Sequence, residues 1–86
     1  MYVVELTYDD NPARLAARPA HRELLADLHK RGIVRAAGPW EDGTGALLIF
    51  DVETEEEVDG FLAEDPYYRS PGLTVRSKRR WSPLVI

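Results

Sequence analysis

His21, in Arg18-Pro19-Ala20-His21, and Asp65, in Glu64-Asp65-Pro66-Tyr67-Tyr68, are the two side chains of this sequence whose types could do acid–base chemistry together. A carboxylate that reaches an imidazole fixes the ring tautomer and raises the basicity of the free nitrogen, which makes the pair the smallest common acid–base unit. Each residue also has an ordinary reading. Counting by three and four places His21 with Leu24, Leu25 and Leu28, so it faces inward, where a core-edge histidine bonded to a backbone carbonyl is the commoner case. An aspartate before proline is a common turn starter after a helix. A third island, Ala37-Gly38-Pro39, lies between the two.

The elements that must position these residues are legible in outline. Tyr2 to Tyr8 alternates as a strand with one wetter face. Asn11-Pro12 is a helix start, and a helical pattern runs from there to Lys30, with Gly32 as the stop. Pro19 interrupts that pattern, and the expected outcome is a break at Arg18-Pro19. Ile33–Ala37 is a short strand ended by Gly38-Pro39, and Glu41-Asp42-Gly43-Thr44-Gly45 is a hairpin turn. Ala46–Val52 is the most apolar strand. Thr54-Glu55-Glu56-Glu57 is a capping box, opening a second helix with Val58, Phe61 and Leu62 inward and Asp65-Pro66 as its stop. Leu73–Trp81 is the last strand.

The order is βαββαβ in a chain of 86 residues, enough for one domain over 1–86. Right-handed crossovers turn that order into an α+β, ferredoxin-like fold: a four-stranded antiparallel sheet with both helices on one face. A third strand that is apolar on both sides needs cover on both sides. A chain this small cannot supply it, so a homodimer through the sheet face, a dimeric α/β barrel, is expected. Whether the two candidate residues meet depends on the first helix. If it starts at Pro12, His21 lies about 12–14 Å along it, level with Asp65 at about 15 Å along a parallel neighbour. If it starts at Pro19, the pairing needs a bend or a second subunit.

Arg18-Pro19-Ala20-His21, Gly32, Ala37-Gly38-Pro39 and Asp65-Pro66-Tyr67 match, in order and across most of the chain, the pattern of the YciI-like (YCII-related) family of small dimeric proteins, which this sequence resembles. In that family the histidine and the aspartate form the proposed active-site pair, so the resemblance implies that role for His21 and Asp65. Arg18, Gly38, Pro39 and Tyr67 are the candidate substrate-binding residues; a guanidinium at Arg18 suits a carboxylate or enolate oxygen, though a surface ion pair is its ordinary reading. Two departures stand out. The Trp40–Thr44 segment is shorter than in many relatives, and the Trp81–Ile86 ending differs from theirs.

Composition limits the alternatives. With 44% hydrophobic and 30% charged residues the chain is an ordinary globular domain, and with no cysteine it has neither disulfides nor thiolate chemistry. No secretory leader and no stretch of about 20 apolar residues occurs, so the expectation is a cytoplasmic protein with no membrane partner. His29, beside Lys30 and Arg31, reads as a solvated helix end, and two histidines without a fixed carboxylate spacing make a poor metal site, so no metal is expected. A net charge of −4 argues against nucleic acid. Arg76-Ser77-Lys78-Arg79-Arg80 reads as a charged edge strand. Ala46-Leu47-Leu48-Ile49-Phe50 lacks the outward stacking rings of an RNA-recognition module with the same element order. The expected function is therefore cofactor-free acid–base chemistry on a small organic ligand, of a lyase, isomerase or dehydrohalogenase kind. The rival is a non-catalytic ligand-binding or dimerisation module of the same fold.

Overall fold

The computed structural model describes Met1–Ile86. Strand β1 (Tyr2–Tyr8) leads into helix α1 (Pro12–Lys30), a hairpin of β2 (Val34–Pro39) and β3 (Gly45–Phe50), helix α2 (Glu55–Glu64), a single 3-10 turn (Pro66–Arg69) and β4 (Leu73–Arg80). The strands form one antiparallel sheet in the order β2-β3-β1-β4. This is the expected α+β, ferredoxin-like architecture. No helix is long and apolar enough to cross a membrane.

Register decides which side chains meet the helices. Tyr2 faces Phe50, and Val4 faces Leu48, and these alternate residues are buried together with Leu6 under α1 and α2. Val58 of α2 closes the same layer, flanked by Phe61 and Leu62, and each such aliphatic or aromatic side chain contributes about 1.5–3 kcal/mol by leaving water. The opposite alternation, Val3 and Glu5 facing Ile49 and Leu47, lies on the sheet side without helices. Gly45 is fixed by close approach, because a Cβ there would land on the Leu6 carbonyl oxygen.

Several sequence expectations need correction. Helix α1 runs unbroken through Pro19. Pro19 lies on an exposed face, and buried side chains on both sides of it, Arg14 and His21, tie each half of the helix to the same surface; that packing outweighs the one lost hydrogen bond. Strand β2 does not stop at Ala37 but continues through Gly38 and Pro39, paired with Leu47 and Ala46. It is an edge strand, where a residue without an N–H is tolerated. Leu24 is 43% exposed: the inward stripe of α1 runs from buried His21 to half-buried Leu25 and Leu28, and Leu24 falls beside it. Strands β3 and β4 also stop short of Val52 and Trp81, ending at Phe50 and Arg80.

Candidate active site

Because α1 starts at Pro12, His21 stands level with the C-terminal end of α2, within one subunit. The chain places Asp65 there by punctuation. Thr54 and Glu57 form the reciprocal capping box that starts α2, and Pro66 forbids its continuation. Asp65 is then both the last cap of α2 and the first cap of the 3-10 turn. Its Oδ1 accepts the Tyr67 N–H at 3.0 Å, and its Oδ2 lies 2.7 Å from His21 Nδ1. Both side chains are buried, at 7% and 5% exposure. Carboxylates only accept hydrogen bonds, so His21 carries a proton on Nδ1, and its neutral form keeps Nε2 as a lone pair.

The turn brings two rings to the imidazole. Tyr67 stacks on it, ring centres 3.9 Å apart and planes 10° from parallel, and Tyr68 meets it edge-on at 5.2 Å. Nε2 has no protein partner, while every fully buried side-chain nitrogen and oxygen has one, so Nε2 reaches open space. That space is a cavity of about 440 Å³ between α1, β1, the β2–β3 hairpin and the 3-10 turn, lined by His21 and Tyr67. Arg18, Gly38 and Pro39 line it too, and Asp65 stands behind the imidazole rather than in the wall. Its inner end is apolar, with Leu6, Leu25, Ala46 and Leu48.

Among the cavity residues that escaped the sequence reading are Tyr8, Arg14, Arg22 and Trp40, and the carboxylates Asp10 and Glu41. Arg14, Arg18 and Arg22 recur every fourth residue on one face of α1, a spacing visible in the sequence but indistinguishable there from a solvated helix face. Arg14 is only 3% exposed; its guanidinium lies 3.7 Å over the Tyr8 ring, and it donates to the Asp9 carbonyl and to Tyr67 Oη, both at 2.9 Å. Arg18 and Arg22 form no ion pair.

Burial lowers the pKa of His21 below the ordinary 6.5, and the hydrogen bond and charge of Asp65 offset only part of that. Expecting the carboxylate to raise the value underestimates the desolvation of an imidazole enclosed by two aromatic rings. The shift favours the neutral imidazole. Below pH 6.5 the unfolded chain takes up a proton at this residue that the folded chain resists, so stability falls as pH drops from 6.5 through the lowered value. An NMR titration should place His21 below 6.5, and the acid-side loss of thermal stability should flatten in His21→Asn. A midpoint above 6.5 would contradict this.

Comparison with known proteins bears on the family and the fold. The model of the YCII-related domain matches residues 1–82. The chain belongs to the YCII-related family. No curated protein matches its sequence. Among solved structures, this YCII-related chain is similar to the 5-chloro-2-hydroxyhydroquinone dehydrochlorinase of Burkholderia phenoliruptrix in complex with 2,5-dihydroxybenzoquinone, at 22% identity and a TM-score of 0.64, over 95% of this chain and 94% of that one. At that identity the likeness speaks for the shared fold.

Proposed function

We propose that this YCII-related protein is a cofactor-independent enzyme that moves a proton on a small cyclic or aromatic acid or phenol, in a lyase, isomerase or dehydrohalogenase reaction. One observation carries the reading: a neutral imidazole, fixed through Nδ1 by Asp65, offers Nε2 to a cavity large enough for a single ring. His21 removes a proton from substrate carbon or oxygen, and Asp65 holds the Nδ1–H and stabilises the imidazolium that forms. The electron pair left behind enters the ring π-system. In an elimination it expels a halide with the carbon–halogen bonding pair; in an isomerisation the imidazolium returns the proton to another atom. Arg18, which makes no ion pair, offers a guanidinium to an anionic ligand at a cavity wall that Asp10 and Glu41 also line. The dehydrochlorination of 5-chloro-2-hydroxyhydroquinone by a structural relative is chemistry of this class.

Asp65 also caps the turn, and the pair is nearly buried, which favours the rival reading that His21 and Asp65 only tie the turn to α1. A thermal-shift screen of hydroxyquinones, chlorinated hydroquinones and ring carboxylates, followed by assays of chloride release and tautomerisation, separates the two. We expect ring acids to stabilise the wild type and turnover to vanish in His21→Ala. Stabilisation with equal turnover in both proteins would overturn the catalytic reading.

The second element of the proposal is a homodimer through the helix-free sheet face. Val3, Leu47 and Ile49 form an apolar strip there, with Trp40 and Trp81 at its margins around a shallow groove. Glu5 and Arg79 stand on the same face. A self-complementary interface uses the same patch on both copies, so the apolar strip would be buried together with Glu5 and Arg79.

A further inference from the structure

Arg14 takes no part in the His21–Asp65 pair, yet it is the most deeply buried charge in the molecule, at 3% exposure. Its guanidinium joins three elements: the Asp9 carbonyl after β1, the Tyr8 ring, and the hydroxyl of Tyr67 in the 3-10 turn. Asp10 approaches it at 3.7 Å from the solvent side. Resting on the acid–base reading above, we propose that Tyr67, held by Arg14, is a second catalytic residue of the site, whose O–H donates a hydrogen bond to the substrate oxygen on which negative charge develops while His21 takes the proton.

Donor arithmetic leads to this role. A guanidinium has no acceptor, so in the contact between Arg14 and Tyr67 the phenol oxygen must accept. The hydroxyl hydrogen is then uncommitted, and no protein group accepts it. An O–H whose oxygen already accepts from a cation is polarised and becomes a stronger donor. The residue lines the same cavity as His21, and the parallel stack sets the phenol and imidazole edges side by side. A proton acceptor and a fixed donor thus border one space, which is what enolate or phenolate formation needs. The Tyr67 hydroxyl stays protonated throughout: it stabilises charge, and no bond to its hydrogen breaks. Arg14 touches the substrate oxygen only through Tyr67 and is a positioning residue. Tyr8 also borders the cavity, but no hydrogen bond orients its hydroxyl.

The probe is 2,5-dihydroxybenzoquinone, a coloured acid whose visible spectrum responds to hydrogen bonds at its oxygens. With wild type we expect saturable binding and a shifted visible band. Tyr67→Phe keeps the ring stack; it should weaken binding at least about tenfold and abolish the band shift, while the NMR titration of His21 stays as in wild type. Arg14→Lys should restore more of the band shift than Arg14→Met. Should orphaning Arg14 unfold Tyr67→Phe, the double variant Arg14→Met/Tyr67→Phe removes both partners and must show the same losses. The proposal is overturned if wild type does not bind the probe, if Tyr67→Phe binds it within about twofold with the band shift intact, or if the loss appears in Tyr8→Phe alone. Intact Tyr67-dependent binding with no turnover of any ring acid would instead sink the acid–base reading and leave the donor standing.

Discussion

Asp65→Asn should lower turnover by about 10³–10⁴-fold with little change in fold. The asparagine carbonyl can still accept the Tyr67 N–H that Oδ1 accepts now, so the turn survives. Its amide then faces His21 Nδ1 as a donor, and the imidazole answers by moving its proton to Nε2. The nitrogen open to the cavity is no longer a base. His21→Ala should cost about as much, and the double variant little more, because the two residues act as one unit. The check is kcat/KM for wild type, both single variants and the double on whichever ring acid the screen identifies. Losses that multiply would mean that the residues work separately. A loss of about 1 kcal/mol in stability with turnover unchanged would leave Asp65 a turn residue and nothing more.

The second large effect comes from one pair of neighbours in β3. Leu48 is 1% exposed and faces the helices, while Ile49, next in the chain, faces the open side of the sheet. Leu48→Glu places a carboxylate in the core, costs several kcal/mol and should leave the chain unfolded or molten. Ile49→Glu should leave circular dichroism near wild type and convert a dimer into a folded monomer. Sedimentation of the two variants and the wild type at micromolar concentration reads this directly. A wild type that sediments as a monomer, or an Ile49→Glu variant that stays dimeric, would remove the proposed interface.

The sequence makes some parts of this site legible and hides others for physical reasons. Capping chemistry is local, so Asn11-Pro12 and Thr54–Glu57 mark both helix starts within a few residues. Strand alternation is equally local, and it marks β1 and the two-sided character of β3. Pro19 misleads, because its cost is local while the packing that outweighs it, through Arg14 and His21, comes from β1 and from a turn more than forty residues away. The binding face of α1 misleads in the same way. Its two buried side chains are an arginine and a histidine, so a rule that sends leucines inward ranks Leu24 above Arg14. His21, Asp65, Arg18, Gly38, Pro39 and Tyr67 could be singled out by resemblance to a family pattern. Arg14 could not, since burial of a charge depends on partners that only the folded chain assembles.

Trp40, 44% exposed at the start of the turn between β2 and β3, lines both the cavity of His21 and the groove of the open sheet face. A wall common to two spaces makes their occupancies thermodynamically linked. In the proposed dimer, a ligand whose affinity depends on where that indole sits changes the dissociation constant of the pair of subunits, and association changes the ligand affinity by the same factor. Titrations of one ligand at different protein concentrations would then give different apparent constants, with the emission of Trp40 reporting both events.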